Sequence, residues 1–252
     1  MKIRPSVFLY IIILFSSFML VNTVSARQER GAEFSFQKGN IYYEEGKYDT
    51  AIKEYSQLLE QGLESGNLYF NLGNSYFKKG ELGKAILNYE RARRLIPRDG
   101  DLKTNYQFAV SKIAYNTSEG PSWFKERFNM VTLNEVTIIL SCFFISILLF
   151  LMVSIFVIRI RRYSYIVLGV SLIVFMTFAY SMYSKVSVLD SEAVIISQSA
   201  EAKYEPADSA TTHFSLYEGM KVYVLELKKE WVKVKRPDGK IGWIRTIEME
   251  KI

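Results

Sequence analysis

The chain has one cysteine, Cys142, and one histidine, His213, among its 252 residues. A single cysteine excludes an intramolecular disulfide and any multi-thiolate metal site, so nothing in the fold is stapled covalently. His213, in the run TTHFSL, has no cysteine, histidine or carboxylate cluster around it at metal-ligand spacing, and it reads as a strand-edge residue. The sequence also lacks a Gly-rich phosphate loop, a nucleophile elbow and an HExxH run. Paired acids such as Glu44-Glu45 fall just before a turn and are solvated. Together these absences point to a non-enzyme that needs no cofactor and no metal.

An excess of positive charge is missing where a nucleic-acid surface would need it. The net charge is +6, but residues 27–116 contribute only +2 and residues 186–252 contribute −1. Neither stretch is a basic platform that tracks phosphates, which argues against a nucleic-acid partner.

What the sequence does have is long apolar runs. Val136 begins 23 residues without a charge, the run RIRR follows at 159–162, and a second apolar arm extends to Ser184. A hydrocarbon core takes about 20 apolar helical residues to cross, and neither arm shows a polar face. The pattern predicts transmembrane helices over 136–158 and 163–184 joined by a turn at 159–162. Arg159, Arg161 and Arg162 put that turn in the cytoplasm by the positive-inside bias. Both flanking regions then face the same compartment on the far side. Residues 1–26 read as an export signal: Lys2 and Arg4, an apolar stretch over 7–21, and the small-residue pattern Val24-Ser25-Ala26. The alternative, an uncleaved anchor, leaves the topology the same. Over 117–135, Trp123, Phe124, Phe128 and Met130 interleave with Lys125 and Arg127, which suits a linker at headgroup level. A short structured loop is the alternative.

Residues 27–116 contain an internal repeat. GNIYYEEGKYDTAIKEY at 39–55 lies over GNSYFKKGELGKAILNY at 73–89, an offset of 34 residues with seven of 17 positions identical. Gly39 and Ala51 permit close approach of two helices, Gly46 breaks the chain between them, and Tyr42 and Tyr55 fill the gaps. In the second copy Tyr69, Leu72, Gly73, Tyr76, Ala85, Tyr89, Ala92 and Pro97 are all in phase. This period and pattern resemble the tetratricopeptide family, with repeats at 32–65 and 66–99 and a capping helix over 102–115. The resemblance implies peptide or protein binding on the face of the first helices. Carried over by repeat phase, that face presents Phe36, Asn40 and Tyr43, then Phe70, Asn74 and Phe77. Phe36 and Phe70 stand where a carboxylate clamp has lysine, so an aromatic groove for an extended segment fits better than recognition of an acidic tail. The alternative is that these aromatics pack against the capping helix or a neighbouring domain.

After the apolar arms the texture changes to short alternating strands. Val222 and Val224, then Val232 and Val234, alternate with polar residues, Asp238-Gly239 marks a hairpin turn, and Ile241-Gly242-Trp243-Ile244 follows. Residues 190–252 resemble bacterial SH3-like (SH3b) domains, with Val222, Val224, Val232, Val234 and Ile244 inward and Trp231 on the opposite face. That family implies binding of cell-wall peptides (peptidoglycan) or protein segments, for which Trp231 and Trp243 could form an aromatic shelf. Alternatively, both tryptophans cover the polar loop over 203–212.

The fold class expected is a multidomain membrane protein: an all-α tetratricopeptide repeat pair, a two-helix transmembrane hairpin and a small all-β SH3-like barrel. The order of these parts resembles the BatE-type family of aerotolerance-operon proteins. That resemblance implies a two-pass scaffold in the bacterial inner membrane with both soluble domains in the periplasm. It also implies protein partners: von Willebrand-type membrane proteins and a MoxR-type ATPase acting in envelope stress tolerance. A cell-wall-binding sensor is the rival reading.

Overall fold

The computed structural model describes residues 31–113, 132–156, 161–189 and 191–252. The export signal expected over 1–26, most of the linker expected over 117–135 and the first half of the turn at 159–162 lie outside those residues. The chain divides into two units, Met1–Glu64 and Ser65–Ile252.

In the first unit α1 covers 31–44 and α2 is Tyr48–Glu60. Gly46, at φ +74°, makes the break between them, where the Gly46 and Lys47 amides donate back to the carbonyls of Tyr43 and Tyr42. That is the left-handed helix ending for which glycine has no steric penalty. A Cβ at Gly39 would stand 2.4 Å from the Tyr55 ring, so only glycine lets that ring lie across α1. The Tyr55 hydroxyl then donates to Asn40 Oδ1 at 2.7 Å.

The second unit repeats this arrangement 34 residues on. Its helices are α3 (Gly66–Lys79) and α4 (Leu82–Leu95), separated by Gly80 at φ +85°. Ser65 caps α3 by accepting from the Leu68 amide. Tyr89 lies 2.6 Å from where a Gly73 Cβ would be, and its hydroxyl donates to Asn74 Oδ1 at 2.8 Å. Pro97 follows the end of α4, and α5 (Gly100–Ser111) starts under an Asp99 cap.

Two long helices come next, α6 (Leu133–Phe156) and α7 (Arg161–Leu189). Their rings meet at Phe144 and Phe175, 6.3 Å between centroids, at similar distances from the intervening turn, as in an antiparallel pair. Among the described residues one helix, Leu133–Met152, is long and apolar enough to cross a membrane. The apolar part of α7, Leu168–Tyr180, is shorter than that.

The C-terminal residues form a seven-stranded antiparallel sheet. Its strands are β1 (Glu192–Ile195), β2 (Ser199–Lys203), β3 (Thr212–Tyr217), β4 (Lys221–Lys228), β5 (Trp231–Lys235), β6 (Ile241–Arg245) and β7 (Met249–Lys251). The order is β3-β2-β6-β5-β4-β1-β7. Strand alternation sends Ala193, Ile195, Ala200, Ala202, Leu216, Val222, Val232, Val234 and Ile244 into one core. Val224 packs only partly against it, because a register irregularity between Val224 and Glu226 shifts the outer half of β4 and leaves Leu225 and Leu227 exposed.

Repeat two and the sheet share an interface. Helix α4 lies against β1. A Cβ at Gly83 would come within 2.6 Å of the Ile195 carbonyl oxygen, and the Gly83 amide donates to Glu218 Oε1 at 2.7 Å. At Gly219, φ +84°, a Cβ would meet Ile86 at 2.6 Å. Ile113, just past α5, packs against the sheet core.

Candidate functional site

Three surfaces bear on function: the first-helix faces of the two repeats, the tryptophan face of the sheet, and the junction of α4 with β1, β4 and β7.

On the first-helix faces, Asn40 and Asn74 are each engaged inside their own repeat. Each accepts from the tyrosine of the following helix, and Asn74 also accepts from Asn105 Nδ2 of α5 at 2.9 Å. The amides are therefore structural hinges between helices rather than free donors waiting for a peptide. The aromatic residues behave similarly. Phe36 and Phe70 lean on Tyr55 and Tyr89 at 5.9 and 6.1 Å, and Tyr43 on Tyr48 at 5.6 Å. Phe77 meets Phe108 of α5 at 5.7 Å. All six residues remain partly exposed. The most open apolar side chains on the repeats are others: Phe34, 72% exposed on α1, and Phe108, 53% exposed on α5. The sequence held a signal for Phe108. The buried stripe of α5 runs through Leu102, Tyr106 and Ala109, and Phe108 lies off it.

On the sheet, Trp231 and Trp243 do share the face away from the core. β5 and β6 pair Trp231 with Arg245 and Lys233 with Trp243. They are not equally open. Trp243 is only 8% exposed and Lys233 lies over its ring, whereas Trp231 is half-buried. Arg245 stacks on Trp231 with its guanidinium carbon 4.7 Å from the ring centroid. The segment between β2 and β3 reaches this face through Asp208, whose carboxylate takes both its contacts from Arg245 Nη2, at 2.6 and 2.7 Å. His213 lies in edge strand β3, stacked on Tyr204 at 4.3 Å.

The junction of α4 with the sheet is organised by a buried carboxylate. Glu90 accepts from the Tyr106 hydroxyl at 2.5 Å and pairs with Lys221 Nζ at 3.2 Å and Arg93 at 3.3 Å. Burial alone would raise its pKa. The charges of Lys221 and Arg93 and the Tyr106 hydrogen bond outweigh that and bring it down to about 2. Burial lowers Lys221 in turn, but Glu90 and Glu192 more than restore it and leave its pKa raised. Burial, then the Glu90 charge, drives the Tyr106 phenol well above its ordinary range. Around this centre Arg91 reaches Glu250 and the Lys251 carbonyl, and Arg94 reaches Glu192 and the Ile252 carbonyl. The arginines of α4 thus cover the edge strand β7, whose backbone would otherwise offer unpaired acceptors.

Among the described residues no group of three or more histidine, cysteine or carboxylate side chains is placed to hold a metal ion. Cys142 is exposed on α6. The chemistry these surfaces offer is binding: aromatic faces, guanidinium forks and amides.

Comparison with known proteins gives the same class. No curated protein sequence matches the chain. Two family models do match, described as TPR repeat over residues 39–80 and as tetratricopeptide repeat over residues 66–99. The matched stretch takes in α2, α3, α4 and the end of α1, and it identifies a tetratricopeptide repeat region, a module of protein–protein interaction.

Proposed function

We propose that this protein is a membrane-anchored scaffold that presents its repeats and its sheet domain together on the outer side of a bacterial inner membrane. One observation carries the topology: α4 of repeat two is packed into β1 and bonded to β4 and β7 across the stretch that contains both apolar helices. Two parts that share an interface lie in one compartment, so the chain between them crosses a membrane an even number of times. Since α6 is long enough to span alone, α7 is its return. The antiparallel contact of Phe144 with Phe175 and the length of α7 support this, as do the arginines at 159–162. The α7 segment continues through polar residues to Leu189, so its shorter apolar core suits a tilted span with a wet outer end.

The sheet domain, with its Val core, Asp-Gly turn and paired tryptophans, is read as SH3-like. The order of the parts supports placement in an envelope stress system of BatE type, with von Willebrand-type membrane proteins and a MoxR-type ATPase as partners. Phe34 and Phe108 are the contact residues favoured here, because their exposure serves no internal packing.

Topology is tested in a Cys142→Ser background carrying Lys78→Cys, Lys240→Cys or Ile160→Cys, probed with a membrane-impermeant maleimide on spheroplasts. The first two should react at once and the third only after lysis; opposite behaviour of positions 78 and 240 would overturn the reading. Scaffolding is tested by co-purification from native membranes in mild detergent. Phe34→Ala and Phe108→Ala should each deplete integral-membrane partners, and an unchanged partner set would refute that role for the repeats.

A further inference from the structure

The tryptophan face of the sheet holds a built carboxylate-binding group that the chain itself occupies. Arg245 is fixed from behind. Its guanidinium stacks on Trp231, and its backbone amide donates to Glu248 Oε2 at 2.8 Å, inside the turn that joins β6 to β7. Stacking of this kind spends the π-face of the guanidinium and leaves its planar fork of N–H donors pointing outward. Two carboxylates fill that fork: Asp208, with both oxygens on Nη2, and Glu230, on Nη1 at 2.5 Å. Lys203 adds a second cation over the Trp231 ring and donates to the Asp208 carbonyl.

The two sides of this arrangement differ in how firmly they are held. Arg245 is two-thirds covered, whereas the Asp208 and Glu230 side chains are 76% and 78% exposed. Exposed ion pairs contribute little to stability, so either carboxylate can give way to another at small cost. The guanidinium and the indole stay in position while the acids exchange.

We propose that Arg245 on Trp231, with Lys203, is a binding site for a carboxylate-bearing peptide segment of a partner, and that Asp208 occupies it in cis as a competitor. Asp208 sits between β2 and β3, so the segment over 204–211 acts as a strap whose tip blocks the site. The site requires neither the repeats nor their partners, and its test reads separately from theirs.

The test uses the full-length protein in detergent and a fluorescein-labelled tetraglutamate peptide, followed by fluorescence anisotropy at low salt. Asp208→Asn should tighten binding roughly two- to fivefold, the range of an exposed ion pair. Glu205→Gln, the same charge change on the same segment away from Arg245, should leave it unchanged. Asp208→Asn combined with Arg245→Lys should lose the gain, since lysine keeps the charge without the fork. Tetraglutamine should not bind. Equal tightening by Asp208→Asn and Glu205→Gln would reduce the effect to bulk charge and overturn the proposal. So would full binding by the Arg245→Lys protein. Near-ultraviolet circular dichroism of Arg245→Lys checks that the tryptophan face is intact; if it has collapsed, Trp231→Phe, which keeps a ring under Arg245, replaces it and should weaken binding several-fold. Unchanged affinity there would refute the site.

Discussion

The two repeats carry the same internal chemistry and opposite exteriors. In each, a glycine of the first helix admits a tyrosine ring from the second, and the tyrosine hydroxyl reaches the next asparagine. Yet α2 buries Ala51, Tyr55 and Leu58, whereas α4 buries eight residues and closes on the sheet. The difference lies where the two copies diverge. Asp49, Ser56 and Gln57 of α2 become Gly83, Glu90 and Arg91 of α4. Gly83 lets the helix approach the Ile195 carbonyl, Glu90 meets Lys221, and Arg91 meets β7. A repeat is made by what the copies share, and a docking face by what one of them has changed.

The largest expected effect breaks that docking face. Glu90→Ala would leave Lys221 and Arg93 facing each other in a buried site, and removal of one partner from such a group costs about 3–5 kcal/mol. The matching change in repeat one, Ser56→Ala, should cost less than about 0.5 kcal/mol. Hydrogen exchange of full-length protein in detergent would read both, with protection lost across α4 in the first variant and unchanged across α2 in the second.

Acid should do the same without a substitution. The folded pKa of Glu90, about 2, lies below the ordinary value of 4.5. A depressed carboxylate stabilises the fold above its unfolded pKa, and that contribution disappears as pH falls through the folded value. Docking should therefore hold above pH 4.5 and weaken between 4.5 and about 2, by about 3 kcal/mol in all. Amide exchange in α4 should accelerate over this window more steeply than in α2, which has no buried acid. Parallel acceleration in the two helices would show that Glu90 is not the cause.

How much of this was legible follows from the range of each interaction. The Gly–Asn–Tyr pattern spans 16 residues and recurs at 34, so it can be read from one chain. Asn40 and Asn74 were nonetheless read as ligand-facing, because nothing in the spacing says that a tyrosine hydroxyl reaches them first. In the sheet, β4, β5 and β6 announce themselves through Val222, Val232, Val234 and the Asp238-Gly239 turn. β2 does not: its inward residues are Ala200 and Ala202, small enough to leave no hydrophobic signal. The α4–sheet junction joins residues more than 100 apart, Gly83 to Glu218 and Glu90 to Lys221. Its only trace in the sequence is the divergence of the copies. Trp231 and Trp243 read alike, and the burial of Trp243 comes from its place beside Lys203 and Lys233 in the ladder.

A smaller effect separates approach from charge. Gly83→Ala puts a methyl group 2.6 Å from a backbone oxygen that cannot rotate away, and overpacking of this kind costs about 1–3 kcal/mol. Asp49→Ala, at the equivalent place on α2, meets no such contact and gains up to about 0.7 kcal/mol of helix propensity. Opposite signs at equivalent positions, measured as shifts in urea midpoint, would sharpen the contrast. Equal signs would dissolve it.

The smallest effect concerns what the repeats share, and it should be the same in both. Tyr55→Phe and Tyr89→Phe each keep the ring and delete one hydroxyl, a hydrogen bond worth about 0.5–1.5 kcal/mol. The ring still fills the space opposite Gly39 or Gly73, so no cavity adds to the loss. Asn74 retains its bond from Asn105 of α5, and this places Tyr89→Phe toward the lower end of the range. Removing that bond as well, in Tyr89→Phe with Asn105→Ala, strands a half-buried acceptor, so the double change should cost more than the sum of the single ones. A double-mutant cycle reads this excess as a coupling energy. Strict additivity would mean that Asn74 finds water when its partners are gone, and the hinge would then be a surface contact rather than part of the repeat's core.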